Sequence, residues 1–498
     1  MIQYTPTSQL LIQEFKTPFQ LELDANNRWV KLSQIIPWDD LAGIYYSGLE
    51  SNTGRAALGA RIAIGAMIIK HRLNLSDRET VATIQENPYM QYFLGLDTFN
   101  PEPLFDPSLF VNLRKRMGAD VFDRFNQTII KKAAQRDIPT KPITPKNKLE
   151  ETDQPTNRGK LQLDATVADI YIKYPTDLDL LNSSREKTEQ FIDKLYDKLG
   201  KVGTKPRTYR KVARKNYLNV AKKKNKRRKE LRRAIRLQLN YVKRNVGYLD
   251  KMLDSFVVPA NRQEDRAFPL SRKEQRYLWV IREVHRQQQE MFDEKKHQCA
   301  DRIVSIHQPY VRPIVRGKAK GKVEFGPKLG MSLDNGYTRI NTFSWDAYNE
   351  GGDLIAHVQE YKKLHGHYPE AVIVDRIYAT LENRKWLKDK EIRITAKPLG
   401  RPGPETGEQA RLRRQEQRER NQIEGKFGQA KNGYANACLW HRLNQVRTRL
   451  KATAESWIGC IIFVTNLIKW QKDHFFVLIF FNLKQPTFLI GIIRIGGQ

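Results

Sequence analysis

Small and apolar residues crowd the stretch from Ala56 to Lys70 (AALGARIAIGAMIIK), which predicts a small-residue apolar helix. Ser76 and Glu79 follow at the spacing of a capping box, and Val81 and Ile84 share one face of the helix it would open. Pro88 forces a break, after which Tyr89, Tyr92, Phe93 and Leu94 supply aromatic and apolar packing. Asp106-Pro107-Ser108 reads as another helix start, leading into LFVNLRKRMG. Residues 1–136 are therefore expected to form an all-α domain. An ordinary core accounts for these side chains; DNA-end binding or dimerisation is the functional alternative, and the pattern does not separate the two.

Residues 137–160 carry four prolines and almost no apolar positions, the composition of a linker. The period then changes. Leu161 to Tyr174 (LQLDATVADIYIKY) is rich in strand formers and predicts a strand or hairpin. Residues 178–298 return to charged helical sequence. Strands resume from Arg302 with RIVSI, VRPIV, KVEFG and TRINTF. A helix is expected near Leu354–Leu364, then short strands at Ala371–Val374 and Ile392–Ala396 flanking a helix over Leu381–Lys390. After a loop at 399–408, a long helix should run from about Gln409 to Lys431 and an apolar one near Glu455–Trp470. This succession predicts an α/β domain over 161–470, interrupted by a helical insertion at about 178–298. Residues 471–498 form an apolar tail whose β-prone runs, FFVLIFF and FLIGIIRI, fall well short of the ~20 residues that span a bilayer.

Charge narrows the partners. Lys and Arg total 87 against 55 acids, a net charge of +32 with a pI near 9.9, which calls for a polyanion. The N-terminus has no secretory pattern and no run spans a membrane, so double-stranded DNA is the better partner and the cytoplasm the expected compartment. Cys299, Cys438 and Cys460 are sparse, odd in number and without zinc spacing, which suits a reducing cytosol. Residues 201–244 hold ten Lys and nine Arg against one acid, Glu230. The densest part includes Lys222, Lys223, Lys224, Arg227, Arg228, Arg232 and Arg233. These are candidate phosphate contacts, giving affinity without sequence choice; a solvated charged helix is the ordinary alternative.

Three acids stand out. Asp164 lies inside the apolar strand LQLDATV, where a carboxylate is costly unless hydrogen-bonded, paired or metal-bound. Asp375 ends the run AVIVD, and the carboxyl ends of strands are where α/β proteins place ligands. Glu424 lies on the helix RERNQIEGKFGQAKNG, with Arg420 four residues before it and Lys431 seven after, all within about 60° of one stripe. Each has an ordinary alternative: a satisfied strand residue, a helix cap, a surface i,i+4 pair. Together they supply the hard oxygen ligands that two-metal phosphodiester chemistry needs, with ions about 3.5–4 Å apart. Arg420 and Lys431 would then contact phosphates. No G-x-x-x-x-G-K-[ST] loop suggests a nucleotide hydrolase.

Arg420-x3-Glu424-x6-Lys431 resembles the signature helix of bacterial insertion-sequence DDE transposases. That signature usually begins with a Tyr three residues before the Arg, where this chain has Gln417. LQLDATVADIYIKYPTDLDLLNSSREKTE resembles the family's first-aspartate segment, and AVIVDRIYATLENRKWLKDKEIRI its second-aspartate strand and following helix. LSDRETVATIQENPYMQYFLGL with FDPSLFVNLRKRMG resembles its N-terminal helical domain, and SWDAYNEGGDLIAHVQEYKKLHGHYPE also fits. The resemblance runs from about residue 55 to 470. It implies an RNase H-like mixed sheet with flanking helices, and a triad of Asp164, Asp375 and Glu424 holding two Mg²⁺ ions, with Mn²⁺ as a substitute. It further implies cleavage at the terminal inverted repeats of an element, joining to target DNA, and a homo-oligomer that holds two ends. A catalytically inactive DNA-binding relative, or a Mg²⁺-dependent nuclease without joining activity, would share much of this sequence.

Overall fold

The computed structural model describes residues 15–16, 22–49, 57–136, 157–256, 268–315, 323–396, 406–432 and 443–483. The N-terminal part is helical: α1 (Arg28–Ile35), α2 (Trp38–Ser47), α3 (Ala60–Leu73), α4 (Asp77–Glu86), α5 (Pro88–Phe93), α6 (Leu109–Arg116) and α7 (Ala119–Arg136). The Ser76 box forms as its spacing predicts. Ser76 Oγ accepts the Glu79 N–H at 3.2 Å, and Glu79 Oε2 accepts the Ser76 N–H at 2.7 Å. Pro88 opens α5 at a position where its missing N–H costs nothing. Helices α1 and α2 fall within the expected all-α region, though the sequence pattern placed no individual helix before residue 55; Asn27 caps α1 through the Trp29 N–H at 2.9 Å.

Downstream lie β1 (Lys160–Val167), α8 (Asp177–Lys198), α9 (Arg210–Ala221), α10 (Arg228–Asp254) and α11 (Arg272–Asp293). They are followed by β2 (Pro313–Val315), β3 (Val323–Phe325), β4 (Lys328–Asp334), β5 (Tyr337–Ser344), α12 (Leu354–His365), β6 (Ala371–Ile373), α13 (Leu381–Asp389) and β7 (Arg393–Ile394). Helices α14 (Gly407–Asn432) and α15 (Lys451–Leu483) complete the described chain. The five-stranded sheet has the order β5-β4-β1-β6-β7. Strand β4 runs antiparallel to β1 and β5, and β6 runs parallel to β1 and β7. This is the mixed α/β sheet expected of an RNase H-like fold, with β1 at its centre.

Side chains alternate across β1, as a strand requires. Leu161 and Leu163 join a core with Leu354 and Val358 of α12, Leu387 of α13 and Tyr378. Lys160 and Gln162 face the other way, toward α14. The insertion between β1 and the rest of the sheet has its own core, in which Phe191 and Leu195 of α8 meet Leu239 and Val242 of α10 and Leu278 and Ile281 of α11.

Helix α15 joins the two halves. Cys460, Phe463, Val464 and Leu467 enter the N-terminal core beside Phe122 and Phe125 of α7. Trp457, Ile458, Ile461 and Ile462 enter a second core with Leu329 and Met331 of β4. Asn466 lies between them, fully buried. It donates to the Asn126 side chain at 2.9 Å and to the Thr338 carbonyl at 2.7 Å, and it accepts the Thr338 N–H at 2.9 Å.

Three sequence expectations need correction. RIVSI forms no strand: Gln287 Oε1 accepts the Ile303 N–H at 3.0 Å, so an α11 side chain takes the place of a strand partner. Strand β4 was missed, although Leu329, Met331 and Leu333 alternate along it and Asn335-Gly336 closes the β4–β5 turn at φ 49° and 83°. The FFVLIFF run, expected to be β-prone, continues α15 as helix to Leu483. Most of the expected linker, Cys438, and the FLIGIIRI run lie outside the described residues. Among the described residues no helix is long and apolar enough to cross a membrane.

Candidate active site

Asp164 sits at mid-strand in β1, half-buried, with Oδ1 accepting the Ala165 N–H at 2.8 Å. Its position relative to β6 follows from the register. Gln162 is level with Ile373, the last pair on the parallel strand, and Asp164 and Asp375 each lie two residues beyond that pair in the chain. Asp375 starts a 3₁₀ turn over Arg376–Tyr378, and its Oδ1 accepts the Arg376 N–H at 2.7 Å.

Helix α14 is fastened over these strands by polar pairs. Lys160 donates to the two Glu419 oxygens at 3.1 and 2.9 Å, and Gln162 Nε2 donates to Gln422 at 3.2 Å. Arg393 of β7 pairs with Glu416, and Ile423 is fully buried between these contacts. Burial alone would raise the Glu419 carboxyl, but the Lys160 hydrogen bonds outweigh it and hold it below its ordinary value.

This docking brings Glu424 and Asp375 to one guanidinium, that of Arg420. Arg420 lies 3.4 Å from Asp375 Oδ1 through Nη1 and 3.5 Å from Glu424 Oε1 through Nη2. Asp375 and Glu424 stay 61% and 54% exposed, so both remain open to solvent and to a ligand. The i,i+4 pair of Arg420 and Glu424 therefore forms, and it is shared with Asp375.

Lys431 goes elsewhere. Seven residues beyond Glu424, about 10 Å along the helix axis, it pairs with Glu324 of β3 at 3.6 Å, both side chains only 16% exposed. In the basic block, Lys222, Lys223, Lys224, Arg227 and Arg228 lie on the exposed connection from α9 into α10, and Arg233 is exposed on α10. Lys223 is paired with Glu230. Arg232 is used internally: its guanidinium lies 4.0 Å over the Phe292 ring and donates to the Phe292 carbonyl at 2.9 Å.

Sequence reasoning missed the polar groups behind the acids. Tyr378 is fully buried and its hydroxyl has no hydrogen-bond partner among the described residues. Burial first, then the charges of Glu350 and Asp164, push its pKa far above the ordinary value. Lys328 binds Glu350 at 2.7 Å nearby, both 16% exposed. Nothing local marks these residues, because β4, the turn before α12 and the turn after β6 meet only in the fold.

The donor chemistry suits a hard divalent cation, and a cationic group, Arg420, already rests between two of the carboxylates. Among the described residues, no three His, Cys, Asp or Glu side chains are gathered tightly enough to hold an ion as they stand.

Comparison with known proteins adds three findings. The Transposase DDE domain matches residues 372–468, a span that includes Asp375, Arg420, Glu424 and Lys431 and begins after Asp164. The Transposase domain (DUF772) matches residues 18–116. The chain is 30% identical over 151 residues to an uncharacterized protein, ORF8 in the nfe locus, of Rhizobium meliloti. That alignment covers 30% of this chain and 64% of the relative, so the chain spans less than two thirds of the relative's length. No solved structure matches.

Proposed function

With the DDE domain and the N-terminal domain of insertion-sequence transposases on one chain, we propose that this protein cuts DNA at the ends of a mobile element and joins the freed 3′ ends to target DNA. Asp164, Asp375 and Glu424 are the triad, and they would hold divalent metal, Mg²⁺ by preference and Mn²⁺ as a substitute. The chemistry two such ions supply when bound is activation of a water or 3′-hydroxyl and stabilisation of the leaving 3′-oxygen. The observation that carries this reading is Arg420 lying between Asp375 and Glu424, with Asp164 on β1, the strand paired with β6 that leads to Asp375.

The chain's own residues do the rest. Lys160–Glu419 and Gln162–Gln422 hold α14 on the sheet, and so set where Glu424 stands. Arg420 neutralises the two carboxylates and is placed to turn to a phosphate when DNA arrives. The exposed cations from Lys222 to Arg228, with Arg233, bind duplex phosphates. Recognition of terminal inverted repeats falls to the N-terminal helices, and two ends require at least two copies of the chain.

The test is a Mg²⁺-dependent cleavage and strand-transfer assay on DNA carrying the flanks of the gene, comparing wild type with Glu424→Gln and measuring DNA binding in parallel at fixed salt. Cleaved and joined products from wild type alone, with binding kept by the variant, are expected. Cleavage without joining would make the protein a nuclease, and binding without chemistry in either protein would make it a DNA-binding relative.

A further inference from the structure

A groove of about 460 Å³ opens where the catalytic sheet meets the helical insertion. One wall is the segment that leaves β1, residues 171–175. The second is the first turns of α8, and the third is the irregular stretch 304–308, with Arg449 at the rim. The volume is in the range of sites that take one small organic group.

The wall chemistry is specific. Tyr171 and Tyr174 are 69% and 67% exposed, unusual for large rings beside a formed cavity. Tyr174 is fixed edge-on to Phe325 at 5.5 Å, which holds one ring in place while leaving most of it open. Lys173 stands between the two tyrosines in sequence and is 76% exposed. Arg449 is exposed and has no ion-pair partner among the described residues. Asp179 also lines the groove, but its charge is met by Lys173 at 3.3 Å and by the Tyr217 hydroxyl. His307 is held by the Tyr277 hydroxyl at 2.8 Å. Burial first, then the nearby charges of Arg449, Lys187, Arg276 and Lys273, push its pKa below the ordinary value; of these cations Arg449 lines the groove.

Exposed aromatic faces interleaved with cations are what an unpaired base and its phosphate require. A closed duplex offers neither free base faces nor an entry into so small a groove. We propose that this groove binds an unpaired nucleobase with its adjoining phosphate, from a single-stranded or frayed stretch of DNA. The position is suited to this. Tyr171 is seven residues beyond Asp164, at most about 25 Å of chain, or roughly seven stacked nucleotides. The inference rests on the reading of the chain as a DNA-processing enzyme and adds a second contact to it.

The test compares affinity at fixed salt for a blunt duplex and for the same duplex carrying a short single-stranded extension. Wild type, Tyr171→Ala/Tyr174→Ala and Tyr171→Phe/Tyr174→Phe would each be measured by fluorescence anisotropy. Wild type is expected to prefer the extended DNA by about tenfold, at the lower end of what one stacked base contributes. The alanine pair should lose that preference and keep its duplex affinity; the phenylalanine pair should keep both. Duplex binding by wild type without a preference, or a preference kept by the alanine pair, overturns the groove assignment alone. No binding to either DNA overturns the DNA-processing reading, and the groove with it.

Discussion

Arg420, on α14, reaches to within 3.4 Å of Asp375 at the end of β6, two elements that meet only through the docking of helix on sheet. The same guanidinium holds Glu424 at 3.5 Å. A divalent ion binding Asp375 and Glu424 must therefore displace a cation already in place. Arg420→Ala is expected to tighten Mn²⁺ binding by DNA-free protein up to about fivefold, the worth of a partly exposed ion pair. It should weaken DNA binding at the same time. Mn²⁺ titration followed by electron paramagnetic resonance checks the first; unchanged or weaker Mn²⁺ binding would show that Arg420 does not compete.

Asn466 ties α15 to an edge strand. It satisfies the Thr338 N–H and carbonyl much as another strand would, and it also reaches Asn126 of α7. Asn466→Ala leaves these buried groups unpaired, so a loss of about 3 kcal/mol is expected. Urea unfolding measures it. A change below about 0.5 kcal/mol would mean that water replaces the side chain.

The basic block divides by role. Lys224, Arg227 and Arg228 are exposed, whereas Arg232 packs over Phe292. Alanine at the first three should reduce the slope of log affinity against log salt by up to about 0.9 for each phosphate no longer neutralised. Arg232→Ala should leave that slope unchanged and cost about 1–2 kcal/mol of stability instead. Affinity measured across a salt series, with unfolding alongside, separates the two.

Asp77 carries a pH-dependent part of the stability. Burial alone would raise its carboxyl, but hydrogen bonds from Arg114 at 2.8 Å and the charge of Lys70 at 2.9 Å outweigh it and hold it below 3.8. A carboxyl lowered on folding adds stability above its unfolded value and loses it as pH falls through its folded value. Asp77→Asn leaves Lys70 and Arg114, 2% and 6% exposed, without their acid, at a cost of about 3 kcal/mol near neutral pH. The gap between wild type and variant should narrow as pH drops below about 4. A gap that stays constant with pH would exclude the ionised carboxylate as its source.

The sequence by itself determined what depends on near neighbours. The Ser76 capping box, the break at Pro88, and the helices through Glu424 and over 354–365 are written in spacings of a few residues. The acids at 164, 375 and 424 stood out because a carboxylate inside an apolar strand, at a strand end, or beside spaced cations is a local oddity. Partner choice was not legible, because it depends on what lies across the fold. RIVSI has a strand's composition, yet Gln287 satisfies its backbone from a helix. Lys431 shares a stripe with Glu424, yet β3 offers it Glu324. Helix α15 reads as uniformly apolar because it borders two cores, and one sequence window cannot show that a helix has two buried faces with different partners. The tertiary structure alone decided that Arg420 stands between two of the acids. Only the seat of α14 over the sheet brings Asp375 and Glu424, far apart in sequence, to the same guanidinium.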